Sequence, residues 1–565
     1  MIDNKKNIEI VVNCLKRHGI RHVVISPGGT NITFVKAVQD DTYFRCYSVV
    51  DERSAMYFAI GIYLQTGEFV ATSCTSAQAT RNYLPGLTEA FYKNVPILAI
   101  TMSKHPRFTY QEYMQAPDQC SLPKDCVKAS YSLPVISEKD DILHSIRVAN
   151  EAILELSHHG TGPVQLCIPW LDFPLGEFKP QERTVLRYEV GHEWNISLRD
   201  KKVLLVVGER RPLKNDEKEA IELFCENCNC AVYVNHLSNF RGKYSFEGNL
   251  LFSTISRGDF KKDLKPDVII SIGGQTGDYP LYGILSELDL GDTEHWRVSR
   301  DGNVIDTYDK LTKIFECSEK YFFSKFSSTD EVKHTYYETI MSCSQFDRNI
   351  EIPFSNAYAA RSLTRIIPHN SNVQFSILNS LRNWNLFEFK NEVKCFSNVG
   401  AFGIDGGMST LIGQSMVSDD LCFMIIGDLA FLYDINSLSI RGLKNNIRIL
   451  LVNNDGGVEF KLGIVDNKSI DKYIAAGGHF KNAKGWAETC GFRYICAKSK
   501  KEFDDLKEEF VVDGEQPILF ELFVSDVNDA TAYSKLIKAN KDTSTADALK
   551  DGIKLSVKKF LVKGR

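Results

Sequence analysis

Two apolar runs in the C-terminal third of the chain end on oxygen-bearing side chains. "LCFMIIGD" stops at Gly427 and Asp428, and "IRILLVNNDGG" stops at Asn453 and Asn454. Asp428 and Asn454 are 26 positions apart. A carboxylate, an amide carbonyl and a nearby main-chain carbonyl are hard oxygen donors. Such a set suits Mg²⁺, which completes its octahedron with phosphate oxygens and water. Gly456 and Gly457 follow at once, where the backbone must bend and approach a ligand closely. The competing reading makes Asp428 a cap on the helix that opens at "AFLYDINSL". A further acid, Glu52 in "VVDERSA", lies between an apolar strand end and the helical run "SAMYFAIGIYL". On its own it also fits the charged first turn of a helix, where acids suit the dipole.

Strand ends of this kind need a scaffold, and the chain supplies one. Short apolar runs alternate with helical patterns, the signature of βα units and parallel sheets. They fall into three groups. The first holds "HVVISPGG", "FVATSCTS", "VPILAIT" and "GPVQLCIP"; the second "KVLLVVGE", "CAVYVNH" and "DVIISIGG"; the third "LCFMIIGD", "IRILLVNND" and "PILFELFVS". Runs this apolar fit strands covered by helices on both faces. The expected fold is α/β, three domains each with a mostly parallel sheet flanked by helices. Polar stretches at 173–195 and 322–338 put domains at about 1–185, 186–345 and 346–540, with a basic tail at 541–565. Ligands of open α/β sheets gather beyond the carboxyl ends of strands, where Asp428 and Asn454 would both lie.

Bulk properties exclude other classes. The chain has 565 residues, 43 % apolar and 25 % charged, with a formal net charge of −5. That balance gives no electrostatic case for nucleic acid or an anionic membrane. No stretch approaches the ~20 apolar residues needed to span a bilayer. The first residues lack the apolar core of a secretory signal. The 15 cysteines, several inside apolar runs, point to reduced thiols and a cytoplasmic location. Cys225, Cys228 and Cys230 cluster in "CENCNC", yet no second ligand pair follows at zinc spacing.

Taken together, "GD" and "NN" 26 positions apart resemble the metal–diphosphate motif of thiamine-diphosphate enzymes. "ISPGGT", "VVDERSA", "CTSAQATRNYLP", "MQAPDQ", "GPVQLCIPW", "SNVGAFGIDGGMST", "GDLAFLYDINSL" and "VNNDGG" resemble, in order and spacing, one branch. That branch is the 2-succinyl-5-enolpyruvyl-6-hydroxy-3-cyclohexene-1-carboxylate (SEPHCHC) synthases. The likeness covers nearly the whole chain and implies pyrimidine-binding, central and diphosphate-binding domains. It implies Mg²⁺ on Asp428, Asn454 and the Gly456 carbonyl. It implies that Glu52 hydrogen-bonds the cofactor's pyrimidine N1′ and gains from a pKa raised by burial. Ile404 would support the bent cofactor, with Leu429, Ala430 and Phe460 beside it. The substrates would be a 2-oxo acid and an acceptor, in a homodimer or dimer of dimers whose sites are split between subunits. "VVGERRPLKN" and "SIGGQTGDYP" lack a G-x-G-x-x-G pattern, so no FAD is expected.

The likeness breaks where the family's substrate cations should be. Family members meet the carboxylates of 2-oxoglutarate and isochorismate with cationic side chains. Here Thr30 follows Gly29 where an Arg is expected, Val399 replaces another Arg, and Asp278 and Tyr279 replace a Lys-Arg pair. Lys104 and Gln115 are partial retentions, and Gln78, Arg81 and Glu459 are new polar groups. A buried carboxylate without partners is costly. The expected activity is therefore decarboxylation of a 2-oxo acid and transfer of the acyl group to an acceptor less anionic than isochorismate. True SEPHCHC synthesis, simple decarboxylation and a silent cofactor-binding scaffold are the alternatives.

Overall fold

Three wholly parallel sheets follow one another along the chain in the computed structural model, which describes residues 4–170, 183–326, 332–462 and 473–541. In spatial order the first sheet runs Arg45–Ser48, His22–Ile25, Val70–Cys74, Ile97–Lys104, Val164–Trp170 and Ala129–Ser132. The central sheet runs Ser245–Glu247, Cys230–Val234, Val203–Val207, Val268–Ile272, Glu294–Ser299, Leu311–Glu316 and Leu186–Glu189. The third runs Lys394–Ser397, Asn372–Phe375, Cys422–Gly427, Ile447–Asn453, Ile518–Phe523 and Arg493–Ala497. The α/β architecture read from the sequence is the one observed. Every residue of Ile97–Lys104 and of Ile447–Asn453 is buried, because helices cover both faces of the sheets.

Strand order decides where a ligand can enter. In the third sheet, chain order reverses direction between Asn372–Phe375 and Cys422–Gly427. In the first sheet it reverses between His22–Ile25 and Val70–Cys74. Loops diverge at such switch points and leave a crevice at the carboxyl ends. Register then sets the partners: Gly427 pairs with Val452, so Asp428 and Asn454 emerge side by side.

Contacts between the sheets hold these crevices in place. Ile474 and Ala475 bury in the apolar core of the first sheet, and the Ser48 hydroxyl lies 2.9 Å from His479 Nε2. Glu112, in the first part of the chain, is gripped by both Nη atoms of Arg297 in the central sheet, at 2.9 and 2.5 Å. The Asn239 amide donates to the Cys395 carbonyl at 2.7 Å, joining the central and third sheets. All 15 cysteines are free, and Cys225, Cys228 and Cys230 pack into the apolar core of the central sheet. Among the described residues no helix is long and apolar enough to cross a membrane. The basic tail falls outside the described residues from position 542 onward, as do parts of both polar stretches expected between domains.

Candidate active site

A cavity of about 590 Å³ opens where the strand ends of the first and third sheets contribute walls, with helices of the central sheet closing one side. Gly29, Glu52, Gln78 and Gln115 line it from the first sheet. Ile404, Asp428, Leu429, Ala430, Asn454, Gly456, Glu459 and Phe460 line it from the third. The resemblance implied a site divided between subunits; here a single chain brings Glu52, Asp428 and Asn454 to one cavity. Four lining residues other than glycine hold positive φ: Ala77 at 80°, Gln115 at 60°, Leu378 at 62° and Phe402 at 60°. Such conformations persist only where the surroundings enforce them. At Ala77 the enforcing group is Gln119, whose buried side-chain oxygen accepts the Ala77 N–H at 2.8 Å.

Asp428 is the first residue of a short helix, Asp428–Tyr433, and is 2 % exposed. Its Oδ1 accepts the Leu429 N–H and its Oδ2 accepts the Gly456 N–H, each at 2.8 Å. Asp428 is not the helix cap, a place that Gly427 holds; its carboxylate engages the first turn of its own helix and tethers the neighbouring strand's loop. Burial pushes its carboxyl up to about 7, and the nearby Asp455 adds to the rise. The Asn454 amide donates to Asp529 Oδ2 at 3.1 Å, while Asn454 Oδ1 is buried with no hydrogen-bond partner. Asp529 is itself fixed by the Asn356 N–H at 2.7 Å and the Asn379 amide at 2.8 Å. Gly456 has φ 133°, and a Cβ there would stand 2.6 Å from the Ala475 carbonyl oxygen. A buried carboxylate beside an orphaned amide oxygen fits a divalent ion. Asp428, Asn454 and the Gly456 carbonyl are the residues that could hold it.

Glu52 opens the helix Glu52–Thr66, but the cap is Asp51, whose side chain accepts the Arg53 N–H. Glu52 is left free to enter the cavity, 2 % exposed. Burial raises its carboxyl to about 7, against hydrogen bonds from Tyr433 and Asn82 that pull it down. The Tyr433 hydroxyl lies 2.7 Å from Glu52 Oε2 and 2.5 Å from the Val50 carbonyl oxygen. A phenol has one proton to donate. With Glu52 neutral, the acid can donate to Tyr433 while Tyr433 donates to Val50. With Glu52 ionised, Tyr433 can turn its proton to the carboxylate. Both protonation states are thus accommodated without moving a heavy atom.

The substrate residues expected from the sequence divide. Gly29, Gln78, Gln115 and Glu459 reach the cavity; Thr30, Lys104 and Val399 are not on its lining. Thr30 is fully buried, its hydroxyl 2.8 Å from that of Thr75 and accepting the Ser76 N–H. Lys104 is buried with its ammonium 5.4 Å from the centre of the Tyr113 ring. Val399 is core, 2 % exposed. Asp278 caps the helix Tyr279–Glu287 and accepts the Tyr233 hydroxyl at 2.6 Å; only Tyr279 of that pair lines the cavity. Arg81 is exposed and donates to the Asp118 carbonyl at 2.7 Å. Glu459 is not a lone acid: Arg382 grips it through both Nη atoms at 2.6 and 2.8 Å. Arg382, Tyr433 and Asp529 escaped the sequence reading. Their one signal was position: Arg382 follows a strand end, and Tyr433 follows Asp428 on the same helix.

Residues 6–122 match the family described as thiamine pyrophosphate enzyme, N-terminal TPP binding domain. With two switch-point crevices sharing one cavity, this places the chain among the thiamine-diphosphate-dependent enzymes. The SEPHCHC synthase of Phocaeicola vulgatus is 32 % identical over 553 residues, covering 94 % of this chain and 98 % of the relative. That of Bacteroides thetaiotaomicron is 31 % identical over 550 residues, with the same coverage. That of Flavobacterium psychrophilum is 28 % identical over 549 residues, covering 92 % of this chain and 96 % of its own. The chain belongs to the SEPHCHC synthase family.

Proposed function

We propose that the protein decarboxylates a 2-oxo acid and passes the acyl group to an acceptor, using thiamine diphosphate and Mg²⁺, with substrates altered from those of its relatives. The observation that carries the reaction class is the convergence of Glu52 with Asp428 and Asn454 on one cavity. Bound thiamine diphosphate supplies the nucleophilic carbon and the electron sink that decarboxylation requires. Asp428, Asn454 and the Gly456 carbonyl hold the metal that neutralises the diphosphate. Glu52, its carboxyl raised by burial to about 7, would hold or release a proton at the cofactor's pyrimidine nitrogen, and Tyr433 orients that carboxyl. Ile404, Leu429 and Phe460 supply apolar wall that would limit water in the cavity once the cofactor is bound.

Altered substrates rest on what the lining lacks. Thr30 and Val399 stand where the family has cations, and neither reaches the cavity. Among the described residues three cations line the cavity; the two arginines are each bonded to a carboxylate also on the lining, Arg257 to Glu287 at 2.5 Å and Arg382 to Glu459, and the third cation is Lys541, from the last described residues of the chain. A second reading, true SEPHCHC synthesis from 2-oxoglutarate and isochorismate, is favoured by the likeness of 94 % of this chain to synthases so named, which are covered to 98 % of their own length. One experiment separates them: CO₂ release and product formation across a panel of 2-oxo acids, with and without isochorismate. Efficient SEPHCHC formation selects the second reading. Turnover of monocarboxylic 2-oxo acids with isochorismate inert selects the first. No CO₂ from any 2-oxo acid refutes both.

A further inference from the structure

Arg382 and Glu459 stand on different elements that meet at the end of the cavity where Asp428 lies. Arg382 lies on the short helix Asn379–Trp384, which follows the strand Asn372–Phe375. Glu459 lies on the turn Val458–Lys461, which follows Ile447–Asn453. The strand between those two is Cys422–Gly427, whose chain continues into Asp428. The ion pair therefore spans the strand end that presents Asp428. Its two bonds, at 2.6 and 2.8 Å, occupy both Nη atoms of the guanidinium. The side chains are only 18 % and 19 % exposed, and the guanidinium sits 5.8 Å from the centre of the Tyr533 ring, which also lines the cavity.

We infer that Glu459 holds Arg382 out of use as an anion site, and that this pair sets the substrate class, favouring 2-oxo acids with one carboxylate over 2-oxo dicarboxylates. The inference rests on the proposed reaction and deepens it. A fork-to-fork pair satisfies the donors that a substrate's distal carboxylate would need. To take that two-Nη face of Arg382, the carboxylate must shed water and displace a carboxylate already in place. The neighbouring cation on the same turn gives no relief, because Lys461 is bonded to Asp526 at 2.5 Å. Taking away the charge of Glu459 would leave a partly buried guanidinium on the cavity wall with its donors turned to the substrate. Such a group attracts carboxylates strongly in a site of low dielectric. A purely mechanical role, in which the pair only staples two loops, predicts lower stability in a variant and no change in preference.

The test uses the holoenzyme reconstituted with thiamine diphosphate and Mg²⁺. For wild type, E459Q and E459Q/R382M, kcat/KM for CO₂ release is compared between 2-oxoglutarate and pyruvate. Glutarate and butyrate affinities are compared by calorimetry, which needs no turnover. In E459Q both ratios should move toward the dicarboxylate at least tenfold, and R382M in the same chain should cancel the gain. Ratios unchanged in E459Q overturn the inference. Wild-type protein that binds glutarate tenfold more tightly than butyrate overturns it as well, whether or not the variants fold. Absence of CO₂ from every 2-oxo acid would instead refute the proposed reaction, while the glutarate and butyrate affinities still decide the role of the ion pair.

Discussion

Replacing Asp529 by asparagine probes the proposed metal end of the cavity without touching a proposed ligand. The Asp529 carboxylate accepts the Asn356 N–H at Oδ1, and the Asn379 and Asn454 amides at Oδ2. An asparagine can keep the first bond through its carbonyl. Its amide group then confronts two other amide donors. In that orientation Asn454 is relieved by rotating its own amide, which turns its oxygen toward position 529 and its NH₂ toward the place of the cation. An NH₂ group has no lone pair to offer a hard cation. The opposite orientation, with the new carbonyl at the Oδ2 place, keeps both amide donors, sets the new NH₂ against the Asn356 N–H and leaves Asn454 as it was. A hydrogen bond to a charged partner is worth about 1.5–3 kcal/mol. If that energy fixes the amide in the first orientation, metal affinity falls roughly 10- to 150-fold. Mn²⁺, standing in for Mg²⁺, is titrated into protein saturated with thiamine diphosphate and followed by electron paramagnetic resonance. Asn454→Asp added to Asp529→Asn restores an acceptor facing the metal and should recover most of the affinity. Metal affinity within twofold of wild type in the single variant would refute the reasoning.

Asp428→Ala removes both the carboxylate and its tether to the Gly456 N–H, so calorimetry should show much weaker uptake of thiamine diphosphate by a protein that remains folded. Glu52→Gln should bind the cofactor nearly normally and lose about 10²–10⁴ in turnover, the usual effect of deleting a placed acid–base group. NMR of proton exchange at the cofactor's C2 checks this. The same substitution has a pH signature in the apoprotein. The Glu52 carboxyl rises from 4.5 to about 7 on folding, so the stability it contributes is complete below 4.5 and is lost as pH climbs through 7. The loss is about 3 kcal/mol, and the thermal midpoint of Glu52→Gln should exceed that of wild type above pH 7 and converge with it below 4.5. Tyr433→Phe deletes a hydrogen bond that holds the Glu52 pKa down, so the acid limb of the kcat/KM profile should move to higher pH.

Periodicity and strand-end chemistry carried much of this molecule. The apolar runs are strands, and Asp428 and Asn454 emerge together because the register of two neighbouring strands makes them do so. Glu52 was legible through the family resemblance alone; its local sequence fitted the first turn of a helix equally well, and it is the structure that shows Asp51 taking the cap and Glu52 entering the cavity. The substrate wall was less legible. Alignment with a family pattern located Thr30 and Val399, but only packing shows that both side chains turn into the interior. Glu459 read as an isolated acid because its partner, Arg382, lies 77 positions away with nothing in the local sequence to join them. Asp529 was hidden for the same reason. Its partners come from three separate segments, and a buried carboxylate that serves them leaves no local pattern.

The contact between Tyr433 and Glu52 joins residues 381 positions apart, and that between Ser48 and His479 joins residues 431 apart. Each sheet, by contrast, is built within its own stretch of chain. Closing so long a loop has an entropic cost that local strand pairing avoids. The sheets should therefore assemble first, and the cavity should appear only when the first and third dock. A ligand that needs both walls cannot assist any earlier step. Cofactor and metal should slow the unfolding of this protein while leaving its refolding rate unchanged, because the interactions they add are absent from the transition state.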